Sequence, residues 1–456
     1  MGFKKDFYWG GSVSWMQTEG AWQEGGKGPS TYDDIKICLG HTDAWKTAID
    51  TYHRYSEDNR LYEGMGFNCY RFSVDWSRIV PTGEREINEE GLRFYDDFIK
   101  DLKAHGMTPM VCLNHFDMPL ALYKKYGGWS DRRVLEAFEF FARTVIEHFG
   151  NTVSLYVPVN EQNAAIDIAC GMLPKELSEK EKALMRARIF HHHFLASAAV
   201  KHYARSYAPE ALVGGMVHCM PVYPASCRPE DVLAARATAE RQCFRHLTVF
   251  ATGKYPKELL EEWKKAGFVP SSADLEEISR AKMDFIPISY YRSALSSAQE
   301  PWQEGKNPYL SKSDFGWEID PVGLRYAVKT IYDRYQLPVF VIECGLGADE
   351  SPMEGAGPAN ASGQREWVIE DDYRIEYFRS HISELKKAVE KDHVDLMGFL
   401  AWGPIDILSS QGTMKKRYGF IYVNRTDTDV KDMARAPKKS YFWFGDVIKT
   451  NAEDLG

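Results

Sequence analysis

An α/β fold, a (β/α)8 TIM barrel built as a single domain with extended βα loops over residues 1–456, is the architecture this sequence predicts. Eight short apolar runs recur along the chain, and longer stretches with helical spacing lie between them. Several runs are apolar nearly throughout, as strands covered on both faces must be. In order, the runs are "FYWGGSVSW" (7–15), "FNCYRFSVDW" (67–76), "TPMVCLNH" (108–115), "VSLYVPVNE" (153–161), "LVGGMVHC" (212–219), "DFIPISYY" (284–291), "LPVFVIE" (337–343) and "VDLMGFLAW" (394–402). The helical stretches include "DDFIKDLKAHG", "RRVLEAFEFFARTVIEHFG", "PVGLRYAVKTIYDRY" and "DYRIEYFRSHISELKKAVEKD". Several end in Gly or a basic residue, as helix C-termini prefer. A doubly wound sheet is the rival layout. It requires a Gly-rich fingerprint after the first strand, and "WGGSVSW" does not match G-x-G-x-x-G.

The chain exceeds the usual length of one domain, but α/β barrels routinely do so as a single unit. Apolar residues make up 44%, ample for a large core. The net charge of −9 argues against a broad nucleic-acid surface. The longest apolar runs fall far short of the ~20 residues that a membrane span needs. The N-terminal "MGFKKDFYWGG" has neither the apolar segment nor the cleavage site of a secretory leader, and Asp6 breaks the myristoylation pattern. Eight scattered cysteines without a C-x-x-C pair read as free thiols in a reducing cytoplasm. Aromatics at 13% fit a large core, and also a carbohydrate site in which sugar faces stack on rings.

In a barrel, polar residues that close apolar strands face the chemistry. Strand 4 closes on Asn160 and Glu161, and strand 7 on Glu343. Strand 3 closes on Asn114 and His115, strand 6 on Tyr290 and Tyr291, and strand 8 on Trp402. Gln17 and Glu19 follow strand 1, and Arg71 lies within strand 2. A carboxylate after a run of apolar residues costs too much to bury unpaired. For a single Glu, an ion pair with an arginine or a helix cap is the ordinary explanation. Two such glutamates at the same end of one barrel are the equipment of glycoside hydrolysis. One protonates the leaving oxygen; the other attacks the anomeric carbon or activates water. Their pKa values must diverge, with Arg71 keeping Glu343 ionised and Tyr291 donating a hydrogen bond to it.

These motifs make the chain resemble glycoside hydrolase family 1, the retaining β-glycosidases. The resemblance runs from "FYWGGSVSWMQTEGAW" through "NCYRFSVDWSRI", "LNHFDMPLAL", "VNE", "ISYY" and "VIECG" to "RYGFIYV", in the family's order and spacing. It implies that Glu161 is the general acid/base, Glu343 the nucleophile and Asn160 the group holding the sugar 2-hydroxyl. It also implies that Arg71 and Tyr291 set the nucleophile's charge and orientation. Gln17, His115 and Trp402 would line the pocket for the non-reducing sugar, and Trp317 the leaving-group side, where a core Trp fits equally well. The chain departs from the family pattern at Asn114, Phe116, Gln162, Ser289 and Cys344. Cys344, beside the nucleophile, is placed to alter the pocket or to confer sensitivity to thiol reagents.

The stretch "DILSSQGTMKKRYGF" (406–420) carries the finer expectation. Ordinary β-glucosidases of the family have a Glu here that binds sugar hydroxyls; this chain has Ser409. At ~4 Å and an effective dielectric near 20, a carboxylate would oppose each phosphate charge by ~4 kcal/mol. Ser409, Lys416 and Tyr418 match the S-x(6)-K-x-Y signature of the 6-phosphoglycosidase branch, two hydroxyl donors and one ammonium. A solvated basic run is the bland alternative, and Lys415 takes the place of Lys416 if the register is off by one. The galactoside-6-phosphate enzymes of this branch have a Trp where this chain has Ser410.

The resemblance therefore implies a 6-phospho-β-glucosidase. The substrate is a phosphorylated β-glucoside, such as cellobiose 6-phosphate or an aryl β-glucoside 6-phosphate. No metal, cofactor, nucleic acid or membrane is called for, and a bacterial cytoplasmic setting and an open oligomeric state go with it. An ordinary β-glucosidase, a 6-phospho-β-galactosidase and a non-catalytic sugar-phosphate-binding barrel are the alternatives. Retention of both glutamates speaks against the last. "RIFHHHF" invites a metal reading through His191, His192 and His193. Adjacent residues leave a helix in different directions, so a packed helix face is the expectation there.

Overall fold

The computed structural model describes residues 2–34, 43–350 and 369–456. Eight staves form one curled, all-parallel sheet. They are β1 (Tyr8–Ser12), β2 (Cys69–Ser73), β3 (Thr108–Asn114), β4 (Leu155–Val159), β5 in two arcs (Leu212–Val213 and Val217–His218), β6 (Ile286–Tyr290), β7 (Val339–Cys344) and β8 (Leu396–Trp402). Neighbours in sequence are neighbours in the sheet, and β1 pairs with β8. The two arcs of β5 close the ring: the first pairs with β4 and the second with β6. Each expected strand is present, shorter than its apolar run at most ends. The expectation of an unbroken fifth strand gives way to two arcs around Gly214-Gly215-Met216. A Cβ on Gly215 would fall 2.3 Å from the Phe250 ring, so the sheet meets its helix there only with glycine.

The main helices that follow the staves are α1 (Thr51–Gly64), α2 (Glu89–Ala104), α3 (Arg132–Phe149), α4 (Glu179–Tyr207), α5 (Arg245–Thr252), α6 (Pro321–Tyr335), α7 (Asp372–Glu390) and α8 (Lys439–Lys449). Asn88 and Asp131 cap the starts of α2 and α3, and Ser178 with Glu181 forms a capping box on α4. The large apolar core lies between sheet and helices. A smaller one fills the barrel: Cys69, Met110, Cys112, Leu155, Val157, Met216, Phe285, Phe340, Ile342 and Leu400. Alternation along each strand sends these residues inward and their neighbours toward the helices. The plug fills the barrel's lower part, so the polar residues at the strand ends become the floor of a pocket.

Candidate active site

Strand alternation alone would turn Glu343 outward, because Phe340 and Ile342 face the interior. The pairing of β7 shifts register between Val341 and Glu343, and the bulge brings Glu343 into the barrel. Cys344 then points the other way. It is fully buried, its thiol lies 3.6 Å from the Tyr377 hydroxyl, and burial pushes it up to about 12. The expectation that Cys344 shapes the pocket is therefore corrected. Glu343 is 2% exposed. Arg71 Nη1 donates to its Oε1, and the Tyr291 hydroxyl donates to its Oε2 at 2.8 Å. The other Arg71 nitrogen donates to Asn160 Oδ1. One guanidinium thus holds the candidate nucleophile and the candidate 2-hydroxyl ligand in a fixed relation.

Glu161 stands between β4 and the helix that follows, in a left-handed backbone conformation with φ of 37°. A residue with a Cβ is strained there, and such strain concentrates at functional positions. Its Oε1 accepts a hydrogen bond from the Ser289 hydroxyl, and His218 Nδ1 lies 3.4 Å away. Burial pushes the Glu161 carboxyl up, but His218 and Ser289 outweigh it and the net direction is down. Burial pushes Glu343 up to about 7; Arg71 opposes this, and the charge on Glu161 adds to it. The two carboxyls diverge, in the reverse of the expected order. Glu161 has a cation at its side that the sequence reading did not supply. Glu343 has Arg71, but lies deeper.

A cavity of about 190 Å³ joins the two glutamates. Of the residues expected in the site, Gln17, His115, Asn160, Glu161, Tyr291, Trp317, Glu343, Trp402 and Tyr418 line it. Gln17 is held by the Ser14 hydroxyl and by the Leu408 carbonyl. His115 stacks on Trp402, with ring centres 5.9 Å apart. Burial and then Arg71 depress its pKa, so it is a neutral imidazole. Its buried Nδ1 has no protein partner among the described residues. Glu19 does not join the site; it pairs with Arg78 and accepts from the Tyr95 hydroxyl at 2.7 Å.

The stretch after β8 divides its three basic residues. Lys415 is exposed and pairs with Asp349 at 3.0 Å. Arg417 is buried against Asp406 and donates to the Val423 and Arg425 carbonyls. Lys416 turns to the site. Its ammonium sits 3.4 Å from the centre of the Trp317 ring and 5.5 Å from that of Tyr418, both cavity walls. No carboxylate pairs with it among the described residues, and burial, then Arg292, bring it down to about 8. The Ser409 hydroxyl accepts from the Gln411 and Thr413 amides and lies 3.0 Å from the Thr413 hydroxyl. Ser409 and Lys416 stand behind the cavity wall; Ser410 and Tyr418 are on it. Arg374 donates to the Tyr418 carbonyl at 2.7 Å and ties this segment to α7.

Sequence reasoning missed Met16, Tyr32, Trp45 and His218 on the wall; Phe116 and Ser410, noted in the sequence as departures from relatives, lie there too. His218 was within reach of the strand-end rule, since it closes the second arc of β5. Tyr32 and Trp45 lie on the long loop after β1, where no pattern marks them. The three adjacent histidines pack into α4's surroundings. His191 meets the Tyr255 hydroxyl at 2.9 Å, His192 the Trp129 carbonyl at 2.7 Å and His193 the Ile189 carbonyl at 2.8 Å. Among the described residues no group of three or more His, Cys, Asp or Glu side chains could hold a metal ion, and no helix is long and apolar enough to cross a membrane.

Comparison with known proteins agrees with this geometry. The family model for glycosyl hydrolase family 1 matches residues 1–453. Aryl-phospho-beta-D-glucosidase BglH of Bacillus subtilis is 40% identical over 478 aligned residues, covering 99% of this chain and 98% of its own. Phospho-cellobiase of Klebsiella oxytoca is 38% identical, with 99% of both chains covered. The beta-glucosidase of Thermotoga maritima in complex with glucoimidazole superposes with a TM-score of 0.85 at 28% identity, over 99% of each chain. A closed eight-stave barrel, two glutamates on one cavity and a family match along almost the whole chain agree: the protein belongs to glycosyl hydrolase family 1.

Proposed function

We propose that the protein is a retaining hydrolase of 6-phospho-β-glucosides, releasing glucose 6-phosphate and an aglycone by double displacement. Glu343 attacks the anomeric carbon while Glu161 protonates the departing oxygen. Water then hydrolyses the glycosyl-enzyme, with Glu161 as base. Arg71 and Tyr291 stabilise the ionised nucleophile, and Asn160 takes the 2-hydroxyl. Gln17, His115 and Trp402 receive the remaining hydroxyls and the ring face, and Trp317 meets the aglycone.

The observation that carries the phosphate reading is Lys416, an ammonium without a carboxylate partner among the described residues, against two walls of the cavity that holds both glutamates. Ser409, in place of a carboxylate, removes the repulsion a dianion would meet. Tyr418 supplies a buried hydroxyl. The names of the relatives, an aryl-phospho-glucosidase and a phospho-cellobiase, support the same substrate class. A cytoplasmic setting is part of the proposal, because phosphorylated sugars belong there. The seven cysteines among the described residues, all free and mostly buried, support it. The test is turnover of p-nitrophenyl β-glucoside against its 6-phosphate. A strong preference for the phosphorylated sugar is expected; preference for the unphosphorylated one overturns the proposal. The β-galactoside 6-phosphate reports on strictness at Ser410.

A further inference from the structure

His218 is the one cavity-wall histidine beside a candidate catalytic carboxylate that the mechanism above leaves unused. Its Nδ1 stands 3.4 Å from Glu161 Oε1 and 3.0 Å from the Ser289 hydroxyl, and that hydroxyl donates to the same Oε1. Nitrogen, hydroxyl and carboxylate thus form a closed triangle in which a proton has only hydrogen-bond distances to cross. The side chain is not needed to hold the strand. Asn163 already accepts from the His218 amide at 2.8 Å and donates to its carbonyl at 2.9 Å. The ring lies over Tyr291, 6.1 Å away and inclined by 29°, so it faces the cavity. Around it are Glu161 after β4, Ser289 on β6, Tyr291 and Arg292 after β6, and Glu343 on β7. Arg292 is itself paired with Glu304 at 2.7 Å. The carboxylates dominate, and the imidazole is raised above its ordinary value despite burial.

We propose that His218, with Ser289, is a positioning residue that shares one proton with Glu161 and so keeps the acid loaded for the leaving-group oxygen. The inference rests on Glu161 being the acid/base. In the first step the Nδ1–H bond of His218 breaks and its electron pair stays on nitrogen. The Ser289 hydroxyl takes that proton and passes its own to Glu161. Glu161 delivers a proton to the glycosidic oxygen as the C1–O bond breaks and the bond to Glu343 forms. In the second step water gives its proton to Glu161 and its oxygen to C1, and the proton returns to His218, leaving Glu343 as carboxylate. A proton shared among several sites leaves the group at a higher pH than it would leave any subset of them. Removing His218 therefore moves the basic limb of the acid-catalysed step to lower pH.

The experiment is the pH dependence of kcat for phenyl β-glucoside 6-phosphate, whose poor leaving group makes protonation limiting. Reading kcat rather than kcat/KM keeps Lys416 neutralised by bound phosphate at every pH. In His218→Gln the basic limb should move down by about one pH unit, because the last proton of the coupled pair then has one site fewer to occupy. The glycosylation burst with dinitrophenyl β-glucoside 6-phosphate, which needs no acid, should be unchanged. That burst also counts folded sites, and His218→Asn serves as a second variant. An unmoved basic limb in both variants, or an equal loss on both substrates at all pH values, overturns the inference. Glu161→Gln separates the two readings. It should abolish phenyl but spare dinitrophenyl glycosylation. If it spares both, the acid assignment falls and the inference with it. If it behaves as expected while His218→Gln leaves the limb unmoved, only the role of His218 falls.

Discussion

The two glutamates and the segment from Asp406 to Tyr418 face the same cavity with opposite electrostatics. At the glutamates, every charge has a partner: Glu343 has Arg71 and Tyr291, and Glu161 has His218 and Ser289. In the segment after β8, the structural charges are paired, Arg417 and Lys438 on Asp406, while Lys416 is left against aromatic rings and comes down to about 8. The difference fits the two roles proposed above. A reaction centre must already hold its charges in place when the substrate arrives, because reorganisation at that moment would raise the barrier. A recognition cation is instead left undischarged, so that the incoming anion supplies the missing half of the pair.

Breaking the paired side should have the largest effect. Glu343→Gln leaves Arg71 and the pocket in place but removes the nucleophile. A loss on the order of 10⁴-fold or more in kcat is expected for p-nitrophenyl β-glucoside 6-phosphate. Turnover near the wild-type rate would end the double-displacement assignment. Next is Lys416→Met. Losing one charge-assisted contact of roughly 1.5–3 kcal/mol should lower kcat/KM for the phosphorylated sugar by about 10- to 150-fold. The unphosphorylated sugar should be nearly unaffected. Equal loss on both would make Lys416 a packing residue. Lys415→Met, at the exposed neighbour paired with Asp349, should do little, and this contrast checks the register.

Ser409→Glu probes the same contrast from the other side. A carboxylate at this position should oppose the sugar phosphate and shift preference toward the unphosphorylated sugar, by about tenfold or more. An unaltered preference would place the phosphate elsewhere. The smallest effect is in pH. In the proposed function Lys416 binds a dianion as the ammonium, and its lowered value means that the proton is lost as pH rises through about 8. KM for the phosphorylated substrate should rise above that pH by up to tenfold per unit, and Lys416→Met should remove the dependence. A flat KM to pH 9.5 would show that the ammonium is not the contact.

Much of this was legible in the chain. Eight apolar runs with polar ends predict the staves and place Asn160, Glu161, His115 and Trp402 near one another, because strand alternation and barrel closure leave few other choices. The same reading offered Arg71, Tyr291 and Gln17, and the family's motifs gave them roles. Less was legible where several elements meet. The neighbour of Glu161 is a histidine from β5, and no pattern along the chain links "VNE" to "VHC". Tyr32 and Trp45 reach the wall from the connection after β1, and their placement follows from packing rather than periodicity.

By itself, the sequence determined the periodicity of the strands, the kinds of chemistry at their ends and the spacing of Ser409, Lys416 and Tyr418, since these are properties of neighbours along one chain. Only the tertiary structure decided that a bulge turns Glu343 inward and Cys344 out, that Lys416 rather than Lys415 packs against the aromatic wall of the cavity, and that His218 stands beside Glu161. Each of these depends on a register shift or on a side chain from another stave, and charges set one another's protonation through space rather than along the backbone.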